Sequence, residues 1–356
     1  MSGNRLAWAL GAVVLLGGGF AMISQFGASG NAQQTPPRRT QFAEEQGAGE
    51  GTSTRPVAFD AARAMRYLKQ ICAIGPRISA TEGMRKQIEL LQKHFTDMGA
   101  QVELQRFTAQ QRSQRRPVEM VNLIAKWHPE RPRRVIICTH YDTRPIADRE
   151  PDRRDWSKPF VGANDSGSGA ALLMEMAHHM KELPLQVGVD FVLFDGEEYI
   201  FDNTPSEQGG DMYFFGSRHF ADRYAQARQR DGRHPVYVEA VLLDMIAGKQ
   251  PLFRYEGHSY MYAGTLVDKI WRIAGEVGAT AFVRELGQRV LDDHLQLLNA
   301  GIPAIDIVPA ASEYRPDEFF LTYPHWHRLS DVPENCAPEG LEQVARVLSV
   351  WMQRAR

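Results

Sequence analysis

Two adjacent carboxylates, Glu197 and Glu198, close an apolar run that stops at Gly196 (VDFVLFDGEEY, residues 189–199). Neighbouring side chains on extended backbone point to opposite sides. The pair is therefore poorly suited to grip one ion together and well suited to divide two jobs, one carboxylate holding a metal while the other handles protons. A Glu pair also occurs at plain solvated strand ends, so its weight depends on what else the chain sets in similar positions. His140, in His140-Tyr141-Asp142, follows the short apolar run RVIICT and has a carboxylate two residues on, the kind of partner that metal-binding histidines usually need. Asp165 sits in Gly162-Ala163-Asn164-Asp165-Ser166-Gly167-Ser168-Gly169, at a loop-to-helix junction. There it serves as an N-cap or, since glycines let backbone come close, as a ligand carboxylate. The run lacks the Lys-Ser/Thr of a phosphate loop.

Asp244 ends another apolar run (YVEAVLLDMI), Asp293 follows in Leu291-Asp292-Asp293-His294, and His327 lies in the polar stretch from Tyr323 to Asp331. Two carboxylates and an imidazole with an open fourth position suit catalytic zinc. The three cysteines, Cys72, Cys138 and Cys336, are far apart in apolar surroundings and read as buried free thiols rather than a thiolate metal site or a disulfide framework. His178 and His179 read as surface residues favouring the end of a helix.

The elements that must position these groups follow from periodicity. Residues 59–72 and 81–98 carry apolar side chains at helical spacing, and 101–108 and 120–127 read as strands. Residues 134–139, 189–194, 237–246 and 302–308 are the short continuous apolar runs of strands buried on both faces. Helices are expected at 170–180, from 216, at 262–276 and at 338–353, and 143–159 is a polar, proline-bearing loop. The fold class is α/β: one doubly wound domain with a central mixed, mostly parallel sheet flanked by helices. In such a sheet ligands collect outside the carboxyl ends of the strands, where the candidate residues fall.

The 356 residues are 43% hydrophobic and 24% charged, with 43 acidic against 41 basic side chains and a net charge of −2. That is ordinary globular composition without the basic footprint of a nucleic-acid binder. Asn4-Arg5 followed by an apolar stretch over 6–26 reads as a signal peptide or a membrane anchor, so residues 1–32 are an export segment. The protein is then expected on the periplasmic or extracellular side, held to the membrane if the segment stays uncleaved. Residues 33–58, poor in large apolar side chains, read as a disordered linker, which leaves 59–356 as the catalytic domain.

The order His140-Tyr141-Asp142, Gly162-Ala163-Asn164-Asp165, Asp195-Gly196-Glu197-Glu198, Leu243-Asp244, Asp292-Asp293-His294 and Trp326-His327 resembles the zinc-dependent aminopeptidase superfamily. Within it, the run HYDTRPIADREPD and the tryptophan before the last histidine are similar to the glutaminyl-peptide cyclotransferases, bacterial members above all. The resemblance implies that Asp165, Glu198 and His327 bind one zinc and that Glu197 moves protons. It implies that Asp244 and Asp293 form a hydrogen-bonded acid pair, and that Trp326, with Tyr323 nearby, walls the substrate pocket. The partners would be peptides or proteins with N-terminal glutamine, converted to pyroglutamate. The superfamily's hydrolytic members hold a second metal on residues matching His140 and Asp244. A two-metal aminopeptidase is therefore the alternative. Where vertebrate cyclases have a tryptophan shortly after the glutamate pair, this chain has Tyr199-Ile200-Phe201-Asp202-Asn203.

Overall fold

A computed structural model describes residues 54–231, 235–315 and 323–356. The export segment and most of the linker lie outside the described residues. Among the described residues no helix is long and apolar enough to cross a membrane.

Six strands form one sheet: β1 (Gln101–Ala109), β2 (Val118–Trp127), β3 (Arg133–His140), β4 (Gly188–Phe194), β5 (Val236–Leu243) and β8 (Ala304–Ile307), in the order β1-β2-β4-β3-β5-β8. β4, β3, β5 and β8 run parallel, while β2 is antiparallel to both β1 and β4. The mixed, mostly parallel sheet expected from the apolar runs is thus present. Two short strands, β6 (Phe253–Tyr255) and β7 (Phe282–Leu286), pair with each other. At three and five residues they are too short to carry a readable alternation.

Successive residues of the central strands serve opposite faces. Val135 and Ile137 join one core with Phe191, Leu193 and Val241, under α1 (Ala61–Cys72), α2 (Glu82–Asp97), α3 (Ser168–Ala177), α5 (Gly257–Glu276) and α7 (Pro338–Arg354). Ile136 and Cys138 join the other with Val192, Phe194 and Leu242, under α4 (Phe215–Asp231) and α6 (His294–Asn299). Burial on both faces is what makes these strands near-continuous apolar runs, each fully buried large side chain contributing about 1.5–3 kcal/mol. All three cysteines are buried and free.

The last described residues of the linker are docked. Val57 N–H donates to Ser349 Oγ at 3.2 Å, and Gln353 Nε2 donates to the carbonyl of Arg55 at 2.9 Å, so 54–58 lie along α7.

Candidate metal centre and active site

β3, β4 and β5 are parallel neighbours, so their carboxyl ends share one edge of the sheet. β3 ends on His140 itself. β4 ends at Phe194, and Gly196, at φ +73°, turns the chain; a Cβ there would meet Met120 Sδ at 2.5 Å. The two oxygens of Asp142 accept the N–H groups of Glu197 (3.1 Å) and Glu198 (3.2 Å), pinning the pair beside β3. From the far side, the N–H of Phe214 donates to the Glu197 carbonyl at 3.0 Å.

Asp165 arrives on an irregular turn, Ala163–Gly167, entered through Gly162 at φ +56°, where a Cβ would lie 2.2 Å from the Asp165 carbonyl oxygen. Three groups hold that turn. Asp331 accepts the N–H groups of Asn164 (2.8 Å) and Asp165 (3.1 Å), Tyr323 donates its hydroxyl to Asp331, and the buried Arg77 donates to the carbonyls of Val161 and Gly162. The Asp165–Ser166 peptide is cis.

These supports bring five donor residues together. His327 Nε2 lies 3.2 Å from Glu198 Oε2 and 3.6 Å from Asp165 Oδ2. His140 Nε2 lies 3.1 Å from Asp165 Oδ1 and 3.4 Å from Asp244 Oδ1. Asp165 therefore stands between two imidazoles and belongs to two overlapping donor sets. Single donor atoms of His140, Asp165 and Glu198 fall within 4.8 Å of one another.

The imidazoles are oriented from behind. His327 Nδ1 is 3.0 Å from Asp148 Oδ1; a carboxylate accepts, so the proton sits on Nδ1 and the Nε2 lone pair faces Asp165 and Glu198. Asp148 is in turn gripped by Arg144 through Nε (3.1 Å) and Nη2 (2.9 Å), and the Arg144 N–H donates to Glu198 Oε1 at 2.8 Å. His140 Nδ1 stands 3.6 Å from Asp142 Oδ1, which gives it the carboxylate neighbour its spacing suggested.

Burial, reinforced by the charge of Asp165 and opposed by the neighbouring histidines, raises the Glu198 and Asp244 carboxyls to about 7. Burial lowers the His140 imidazole, but Asp142, Asp165 and Asp244 more than reverse that and raise it well above its usual value. Buried carboxylates crowded in this way repel one another, and a divalent cation at the Nε2 atoms would relieve the repulsion. The donors are nitrogen and oxygen with no sulfur, a set that zinc takes in catalytic sites. The residues present fit a zinc ion.

Glu197 points elsewhere. Its side chain keeps 13% of its surface open against 2% for Glu198, and Oε2 stands 3.9 Å from His140 Nδ1. Burial raises its carboxyl well above the usual range; Asp292, Glu198 and Asp293 raise it further, against the pull of His140. It can hold a proton next to the donor cluster.

Two expected placements differ. Asp293 is turned away: its Oδ1 accepts the hydroxyl of Ser217 on α4, and its Oδ2 is buried without a hydrogen-bond partner. The charge of its neighbour Asp292, also buried, raises the carboxyls of both Glu197 and Asp244. Adjacent residues on a turn diverge, and which one faces inward depends on the path of the loop. Tyr323 does not line an opening. It is 2% exposed, packed with Met245, Val308 and Ala310, and its hydroxyl is spent on Asp331. Trp326 is half-buried beside the site, its ring 4.1 Å from that of His327 and under the Arg149 guanidinium at 4.6 Å.

Sequence reasoning gave no role to Arg144, Asp148 or Asp331. Asp331 stood at the end of the quoted stretch around His327, and Asp148 lay in a loop whose polar composition resembles any surface loop. His178 and His179 stay outside the site: His178 Nε2 is 2.7 Å from the hydroxyl of Tyr67 and His179 is 3.5 Å from Glu175.

The family model for peptidase family M28 matches residues 122–352 of this chain. The crystal structure of a glutaminyl cyclase from Fimbriiglobus ruber is 49% identical and superposes with a TM-score of 0.79, covering 85% of this chain and 97% of that one. A glutaminyl cyclase from Bacteroides thetaiotaomicron, solved with N-acetylhistamine bound, is 26% identical with a TM-score of 0.75, over 85% of this chain and all of that one. The glutaminyl-peptide cyclotransferase of Bothrops jararaca is 26% identical over 258 residues, 65% of this chain and 64% of that protein. The match to the snake enzyme thus spans just under two thirds of its length.

Proposed function

This chain belongs to peptidase family M28 and to its glutaminyl cyclase branch, and from that membership we propose that it converts the N-terminal glutamine of peptides and proteins to pyroglutamate, releasing ammonia. Asp165, Glu198 and His327 would hold one zinc ion. When bound, that ion supplies Lewis-acid polarisation of the glutamine side-chain carbonyl. The chain's own groups do the rest. Glu197 accepts a proton from the substrate α-amine as the amine nitrogen bonds to the side-chain carbonyl carbon. The same carboxyl then returns that proton to the departing nitrogen as its bond to that carbon breaks, so one lactam and one ammonia leave with no net proton taken up. Trp326 bounds the space beside His327, and Asp148 and Arg144 keep the His327 ring aimed.

The observation that supports this reading most directly is the division of the glutamate pair: Glu198 lies against His327, while Glu197 is the more open of the two and has a carboxylate whose proton affinity burial raises. Mass spectrometry of a glutamine-led peptide after incubation tests it. The expected product is lighter by one ammonia and resists aminopeptidase digestion; a peptide shortened by one residue would overturn the reading.

One observation favours a second reading. His140 Nε2 lies 3.1 Å from Asp165 and 3.4 Å from Asp244, and with a second metal held by these three Glu197 would activate water for aminopeptidase hydrolysis instead. Metal content separates the two: one zinc per chain accords with the cyclase, two with the peptidase. The apolar segment at 6–26 supports export of the catalytic domain, with membrane attachment where that segment is retained.

A further inference from the structure

Six large hydrophobic side chains are exposed among the described residues, and five of them fall in three segments that are bonded to one another: Tyr260 (47%), Met261 (51%) and Tyr262 (64%), then Leu291 (48%), then Tyr314 (82%). The Gly257 N–H donates to the Gln288 carbonyl at 3.0 Å, Val290 N–H to Glu256 Oε1 at 2.8 Å, and Gln288 N–H to the Ala311 carbonyl at 2.9 Å; Gly287 and Ser312 form a further bridge. Glu256 also caps α5, accepting the N–H groups of His258 (2.9 Å) and Ser259 (2.6 Å). The first turn of α5 is set off from the rest by a break at Ala263, at φ −135° and ψ 34°. Within it, Tyr260 stacks on Tyr255 with ring centroids 5.5 Å apart, and His258 stacks on Tyr262 at 6.2 Å. The rings are therefore held in place although they face water.

Apolar surface gathered in one region of a protein marks an interaction site. These segments adjoin the loop that carries the acid pair: Leu291 directly precedes Asp292 and Asp293, and the Glu256 carboxylate that accepts from Val290 lies 3.2 Å from His294 Nε2. We propose that the patch is an extended docking surface for the polypeptide that follows the substrate's first residue, and that it favours chains with aromatic or aliphatic side chains several positions on. The inference rests on the reading of the site as acting on chain N-termini. A substrate held by its terminal residue must lead the remainder of its chain out across the rim, and pre-ordered aromatic rings give contact area at little entropic cost and without a fixed sequence code. The patch thus selects polypeptides over free glutamine or short amides.

The test uses the full chain and two variants, the triple substitution Tyr260→Ser, Met261→Ser and Tyr262→Ser, and Tyr314→Ser alone. Cyclisation of a glutamine-led dipeptide amide is compared with that of a glutamine-led decapeptide bearing Leu and Phe beyond its second residue. The expected result is a KM for the decapeptide raised about tenfold in the triple variant and less in Tyr314→Ser, with the dipeptide unchanged within about twofold and the melting temperature preserved. Equal effects on both peptides, or none on either, would overturn the inference. So would a wild-type dimer that the triple variant turns into a monomer in sedimentation, or wild-type binding to phosphatidylcholine vesicles lost in the variant, since each assigns the patch to another occupant. A wild type that shortens both peptides by one residue would sink the cyclase reading alone, and the length-dependent loss of KM in the variants would still uphold the patch.

Discussion

Replacing Glu197 by Gln removes a proton carrier without removing a ligand. The variant is expected to keep its zinc and its fold while losing about two to four orders of magnitude in turnover, the usual worth of a positioned acid/base. Glu198→Gln should lose the metal, because its oxygen lies 3.2 Å from His327 Nε2 in a set with no spare member. Metal analysis beside steady-state kinetics separates the two, and an undiminished Glu197→Gln enzyme would refute the assignment. Asp148 never touches the metal position, yet it fixes the tautomer of His327. Asp148→Ala should weaken zinc binding by about 10–100-fold in chelator competition. Asp148→Asn can accept the same Nδ1 proton through its amide oxygen and should weaken it less.

Among the elements, α3 carries Asp165 at its entrance and is tied to α1 through Glu175. That carboxylate accepts from Arg63 Nη2 at 2.7 Å and from the Asp60 N–H at 3.1 Å. Burial works against its charge, but His179, Arg63 and the Asp60 N–H outweigh burial and lower the carboxyl from the usual 4.5 to about 2. A carboxyl depressed in the folded state binds its proton more readily when unfolded. Its stabilisation is therefore complete above pH 4.5 and fades as the pH falls toward 2. Wild type and Glu175→Gln should differ in denaturant midpoint at pH 7, and the gap should close between pH 4.5 and pH 2. A gap independent of pH would show that the tie is not ionic. The turn before α3 hangs on Asp331, so Asp331→Ala should release metal while far-UV dichroism stays unchanged.

For the whole molecule, the question is where the folded body begins. A chain starting at Thr54 keeps the hydrogen bonds of Arg55 and Val57 to α7 and should melt as the full chain does. One starting at Phe59 should stay active, since none of the described residues before Phe59 is bonded to the site, but lose a few degrees of melting temperature. Each lost hydrogen bond is worth about 0.5–1.5 kcal/mol, and a domain of this size shifts roughly 2–4 °C per kcal/mol. Loss of folding on that truncation would show that 54–58 are integral to the core.

His140, Glu198 and Asp244 were legible in the sequence because each stands just after an apolar run, and a buried parallel strand announces both its course and its end. Asp165 was legible through its glycines, and the sheet through the runs themselves. That the Glu197 and Glu198 side chains part followed from backbone geometry, since consecutive side chains diverge. The partner of His327 could not be read. Asp148 lies 179 residues away, and only the path of two loops across the sheet edge brings them to 3.0 Å. The same holds for Asp331 beneath Asp165, for Tyr323 turned inward onto Asp331, and for Asp293 turned toward Ser217. The chain's periodicity determined which elements form and which groups stand at their ends, because those depend on local spacing. Tertiary structure decided which groups meet there, because contacts between loops depend on closures that leave no local period to read.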